Sequence, residues 1–201
     1  MKEQILNELF DFVINNCKIY NIDESHGLGH SMKVYNFARE IYKSELLNNN
    51  FLESQKIIIY TSAIIHDMCD KKYMNEEDGL NVIKLKLIDI NLEQKDIEII
   101  LKIISFMSYS KVKINGYPDL GEYQLAYHIV READLLAAYD FERCVIFQMM
   151  MKNNNYIDSV EFAKNLFNIR ILKQIEDKLF ITLYSNKIAI ELHNKYKIEN
   201  N

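Results

Sequence analysis

Apolar residues recur along this chain at three- and four-residue steps almost from end to end, the spacing of one face of an α-helix. Ile5, Leu9, Val13 and Cys17 step by four and predict a first helix. A second runs over Leu28–Leu47, opening after Asp23-Glu24-Ser25, with Val34, Phe37, Ala38 and Ile41 inward. The stretch Glu53–Asp67 is apolar nearly all round at Ile57-Ile58-Ile59 and Ile64-Ile65, which predicts a helix buried at the centre of a bundle. Helices follow over Glu76–Ile88, Glu93–Phe106, Glu122–Ala138, Phe141–Met151, Ser159–Arg170 and Leu172–Tyr196. In the last of these Leu172, Ile175, Leu179 and Leu183 keep helical steps. Between them Ser105–Gly121 breaks the pattern and carries Asn115-Gly116-Tyr117-Pro118, the strongest turn signal in the chain. A long irregular stretch of this kind often lies over a site. The expectation is an all-α, compact multi-helix bundle of about eight or nine helices.

Composition agrees. One proline and five glycines in 201 residues are too few for the turns of a many-stranded sandwich or barrel. Hydrophobic residues at 49% and charged residues at 26% exclude a disordered chain, so residues 1–201 are expected to form a single domain. The net charge of −5 comes with no basic stripe, which argues against a nucleic-acid partner and leaves room only for small anions in a local basic pocket. Lys2, Glu3, Glu8 and Asp11 interrupt the first apolar positions, unlike a signal peptide, and no apolar run approaches a membrane span. A soluble, intracellular, cytoplasmic protein is expected. Cys17, Cys69 and Cys144 are widely spaced and form neither a disulfide framework nor a thiolate zinc knuckle.

The five histidines are few enough to weigh singly. His128 and His193 read as structural. His66 and Asp67 end the most apolar helix, where a buried imidazole and carboxylate need something to offset their desolvation. A divalent cation would do so, since imidazole nitrogen and carboxylate oxygen together suit borderline and hard metals. Asp134, in the apolar stretch 129–138, is a candidate ligand from a distant helix, and His30 begins another helix four residues after His26. Three central helices would then point ligands at one spot.

The segments Ser25-His26-Gly27-Leu28-Gly29-His30, Ala63-Ile64-Ile65-His66-Asp67-Met68 and Glu132-Ala133-Asp134-Leu135-Leu136 resemble the HD phosphohydrolase superfamily, whose signature is a histidine, a His-Asp pair and a distant aspartate in an all-helical domain. The likeness covers about Asp23 to Arg143. It is strongest to stand-alone bacterial HD hydrolases with His-x-x-x-His at the start and a further aspartate after the pair, matched by Asp70. The resemblance implies His30, His66, Asp67 and Asp134 as ligands of one divalent metal ion, whether Mn, Co, Ni, Fe, Zn or Mg. No histidine lies between Asp67 and Tyr127 to hold a second ion.

It further implies a metal-activated water attacking phosphorus, in phosphomonoester or phosphoanhydride hydrolysis of a nucleotide or other small phosphorylated metabolite. Asp67 would hold the metal and orient the water, and His26 would transfer a proton or touch substrate. Lys33, Lys71, Lys72 and Arg131, with Asp70, are the substrate-binding candidates, because Lys33 follows His30 and Arg131 precedes Asp134 by three residues on a helix face. The alternative is an inactive HD-fold metal-binding sensor or interaction module. No heptad seam specifies an oligomeric state.

Overall fold

The computed structural model describes residues 3–200, with side chains described through residue 198. The all-helical expectation holds: ten α-helices and no strand occur among the described residues. They are α1 Glu3–Ile19, α2 Leu28–Leu46, α3 Leu52–Ile65, α4 Glu76–Asp89, α5 Gln94–Phe106, α6 Tyr109–Asn115, α7 Gln124–Ala137, α8 Phe141–Lys152, α9 Tyr156–Leu166 and α10 Leu183–Asn200. A 3₁₀ turn at Gly121–Tyr123 leads into α7, and a π turn at Phe167–Ile171 ends α9.

Helix α3 is the centre. It packs against α2, α5, α7 and α1, and α2 packs in turn on α7. Ten residues of α3 are buried, from Leu52 to Ile65, including the polar Gln55, Thr61 and Ser62. Each fully buried Ile there contributes about 1.5–3 kcal/mol of transfer free energy, so the all-round apolar sequence is what places this helix inside. Helix α7 is similarly sunk, with Tyr127, Ile129, Val130, Ala133, Leu136 and Ala137 buried. Three central helices therefore meet side by side, each with a ligand-type residue at or near its end.

Two segments depart from the periodicity reading. Within 105–121, residues Tyr109–Asn115 form α6, started by the Ser108 hydroxyl accepting the Lys111 N–H and stopped by Gly116 at φ +73°. No residue of α6 is buried, so it has no core-facing stripe for a hydrophobic pattern to reveal. The expected continuous helix over 172–196 is broken until Leu183. Lys178 takes a left-handed φ of +53°, and the N–H groups of Ile181 and Thr182 go to the Glu132 carboxylate instead of to a helix. Leu183, the last of the four periodic residues, is 83% exposed and opens α10 on the outside.

Candidate metal centre

Four of the sequence-predicted residues meet where α2, α3 and α7 converge. His30 sits in the first turn of α2 and His66 directly after α3, both buried, while Asp134 lies on α7. His30 Nε2 lies 3.1 Å from His66 Nε2, 3.2 Å from Asp67 Oδ2 and 3.3 Å from Asp134 Oδ1. His66 Nε2 lies 3.3 Å from Asp67 Oδ2 and 3.7 Å from Asp134 Oδ1. Donor atoms held about 2.1 Å from one ion stand roughly 3–3.5 Å from each other, a range that holds all of these separations but that of His66 and Asp134. His30, His66 and Asp134 thus form a cluster that could hold a metal ion.

The local chemistry fits a cation better than a hydrogen-bond network. His66 donates its Nδ1 proton to the Ala63 carbonyl at 3.0 Å, so Nε2 is the nitrogen that faces the cluster and would offer a lone pair to a metal that displaces its proton. Asp67 Oδ2 is buried and accepts no hydrogen bond despite its nearness to both imidazoles. Burial disfavours a charged His66, yet Asp67 and Asp134 outweigh it and push its pKa up to about 9. Burial would likewise raise Asp67 and Asp134, but the imidazoles hold both carboxyls below their ordinary range. Positive charge is what this group of atoms prefers between them.

The cluster opens on a cavity of about 420 Å³ whose floor includes His66, Asp67 and Asp134. His26 lines it, its ring fixed by Lys72 Nζ on Nε2 at 2.9 Å and by Tyr73 and Ser25 hydroxyls beside Nδ1 at 2.9 and 2.6 Å. Burial is the main cause that pushes His26 down to about 4, so the ring is neutral at pH 7. Lys71 and Lys72 lie exposed at the rim. Asp70 holds Lys72 through a 2.8 Å ion pair and accepts its backbone N–H at 2.9 Å.

Two of the grouped residues are elsewhere. Lys33 does not line the cavity: its ammonium pairs with Asp140 at 2.7 Å, and Asp140 also caps α8 by accepting the Arg143 N–H. Arg131 runs the opposite way, to the Leu179 carbonyl and to Glu132. Spacing of three along a helix sets a common face, but long side chains leave that face in different directions. The structure adds residues that sequence reasoning missed. Arg143 donates Nε–H to the Ser25 carbonyl and brings Nη2 to 3.7 Å from Asp67 Oδ2. Lys111 and Arg170 line the same cavity, Lys111 paired with Glu76 and Arg170 set over the Tyr109 ring at 4.3 Å. In sequence nothing separates these three cations from surface charges.

No protein-family model matches the chain, and no curated protein is significantly similar to it in sequence. Among solved structures it is similar to a crystal structure of a Lactobacillus plantarum protein, with 21% identity, a TM-score of 0.71 and coverage of 98% of this chain and 97% of that one. It is also similar to the crystal structure of Bacillus subtilis YpgQ in complex with ADP, with 18% identity, a TM-score of 0.63 and coverage of 94% of each chain. At such identities the likeness establishes the all-helical fold. No helix among the described residues is long and apolar enough to cross a membrane.

Proposed function

We propose that this chain is a metal-dependent phosphohydrolase of the HD type that hydrolyses a phosphoester or phosphoanhydride bond of a nucleotide or another small phosphorylated metabolite. The observation that carries the reading is the convergence of His30, His66, Asp67 and Asp134, with donor atoms 3.1–3.7 Å apart and the last three residues at the floor of a cavity. These residues would hold one divalent ion, which when bound supplies Lewis-acid polarisation of a phosphoryl oxygen and lowers the pKa of water.

The remaining work falls to side chains of this chain. Asp67 orients the attacking water, and the imidazoles of His66 and His30 beside it keep the carboxylate ionised. His26, neutral and held by Lys72, Tyr73 and Ser25, is positioned to exchange a proton near the leaving group. Lys71, Lys72, Lys111 and Arg143 give the cavity the positive charge that a phosphate chain requires. Its volume lies in the range of small-molecule sites, and Met107, Leu135 and Phe147 provide apolar wall for a nucleoside. The ADP in the YpgQ structure favours a nucleotide among phosphorylated metabolites.

The test is an assay of the purified full chain, supplied with Mn or Co, on nucleoside mono-, di- and triphosphates and a generic phosphomonoester. Turnover that Asp67→Ala abolishes supports the proposal. Stoichiometric metal with no turnover on any of these substrates replaces it with a binding module, and absence of metal binding overturns both.

A further inference from the structure

A second cavity, of about 340 Å³, lies behind a wall of Met107, Tyr109 and Leu135 that it shares with the first. It is closed by α6, the Gly116–Tyr117 turn, α7 and the segment around Leu179. None of the four cluster residues lines it. Its buried charge is Arg131, whose side chain is 3% exposed.

Arg131 is only half served by the fold. Both of its hydrogen bonds use Nη2, to the Leu179 carbonyl at 2.5 Å and to Glu132 Oε1 at 3.3 Å. Nε is buried without a partner, and Nη1 donates to no acceptor among the described residues. Glu132 cannot compensate fully, because its carboxylate also takes the Ile181 and Thr182 N–H groups and the Thr182 hydroxyl, at 2.8, 3.1 and 2.7 Å. A tie between α7 and Leu179 needs Nη2 alone. A buried guanidinium whose Nη1 has no acceptor is matched to an oxyanion, which takes a charge-assisted hydrogen bond from it.

The surroundings suit an anion carried on an apolar body. Tyr117 lies across the guanidinium with its ring centroid 4.8 Å from the Arg131 carbon, a contact on the face that leaves the in-plane N–H groups of Nη1 free. Tyr109 and Leu179 add apolar wall, and Lys113 puts a second positive charge at the exposed rim against the single negative charge of Asp177. Burial, and after it the charge of Arg131, push nearby His128 down to about 4, in line with a positive field.

We propose that this cavity is a binding site for a small organic oxyanion, a carboxylate or phosphate-type group on an aromatic or apolar body, held by the unserved Nη1 of Arg131 with the body between Tyr109, Tyr117 and Leu179. The site stands independently of the phosphohydrolase reading. Benzoate and phenylphosphonate serve as probes, since they share the oxyanion and the ring and differ in which oxyanion they carry; benzamide is the uncharged control. They are titrated into the nitrogen-15-labelled full chain while the Arg131 Nε–H and the amides of Lys113, Tyr117 and Leu179 are followed.

The expected result is a saturable shift of these signals with at least one anion, the better probe identifying the group, and none with benzamide. Arg131→Gln weakens binding about tenfold, the loss of one charge-assisted hydrogen bond. Tyr117→Ala weakens it about threefold. No saturable shift with either anion, equal binding of benzamide, shifts confined to residues 66–70, or undiminished binding by Arg131→Gln overturns the proposal. If Arg131→Gln does not fold, Tyr117→Ala and Lys113→Ala decide, and unchanged affinity in both overturns it.

Discussion

His30 and His66 face each other with the same ring nitrogen, Nε2, at 3.1 Å, although His66 already donates its Nδ1 proton to the Ala63 carbonyl. One proton on that pair cannot satisfy every atom that faces it, because Asp67 and Asp134 add oxygen lone pairs on the same side. A divalent ion held by these donors binds the folded chain and not the unfolded one, which makes stability a direct report of its occupancy.

Divalent metal should raise the unfolding temperature of the full chain, and chelation should lower it. At free ion a hundredfold above Kd the native state gains about 2.7 kcal/mol. Asp134→Ala and His66→Ala should lose both the bound metal and the response to chelator, while an exposed change such as Lys102→Ala should keep them. Thermal melts paired with metal analysis by mass spectrometry check this. A melting temperature indifferent to metal in the unaltered protein would count against the cluster as a metal centre.

Much of this arrangement can be read from sequence because it follows from burial. The apolar run around Ile58 and Ile64 leaves α3 no place but the centre, and a His-Asp pair at its end must then be compensated. Asp134 is legible for the same reason, standing among Val130, Ala133 and Leu136. What burial does not encode is where a flexible cation points. Lys33 and Lys111 look alike in sequence, yet one ties α2 to α8 through Asp140 and the other lines the cavity. The break before α10 was equally hidden: it depends on Glu132, about fifty residues upstream in the chain, accepting the Ile181 and Thr182 N–H groups, a long-range contact with no periodic trace.

Lys33 and Asp140 should behave as a structural pair. Their side chains are 41% and 28% exposed, so Lys33→Ala should lower stability by no more than about 1 kcal/mol. Asp140→Ala also removes the cap of α8 and should lower it by about 1–2 kcal/mol. Urea titration measures both. In the nucleotide assay Lys33→Ala should leave KM within about twofold, whereas Arg143→Ala should raise it about tenfold, the scale of one charge-assisted contact. The reverse ranking would return Lys33 to the substrate side.

His128 gives the fold an acid-sensitive element apart from the metal cluster. Its ring packs edge-on against Tyr117 and Tyr127, at 5.0 and 5.2 Å, and burial pushes it down from an ordinary 6.5 to about 4. Between those values the unfolded chain binds the proton and the folded chain does not, so its contribution is complete above pH 6.5 and is lost as pH falls toward 4. His128→Phe keeps the ring contacts and removes the titration. The variant should lose less stability than the unaltered protein between pH 7 and pH 4.5, read by urea unfolding at each pH; parallel losses would exclude His128 as a source.

Gly79 in α4 bears on the metal centre, because its backbone packs against the turn that carries the His-Asp pair. A Cβ added there would lie 2.7 Å from both Cα and Cβ of Cys69 and 2.8 Å from the Met74 sulfur. The Met74 side chain can swing away, but the Cys69 backbone cannot move without moving Asp67, two residues earlier. Alanine ordinarily favours a helix over glycine by about 1 kcal/mol, and overpacking of about 1–3 kcal/mol should exceed that gain here. Gly29→Ala is the control, since nothing lies within 4 Å of the added carbon. Gly79→Ala should therefore be the less stable of the two and bind metal more weakly, whereas Gly29→Ala should be near neutral in both. Calorimetric titration with Mn and urea unfolding of the two variants make the comparison, and equal metal affinity would mean that the turn at 66–70 is not braced by α4.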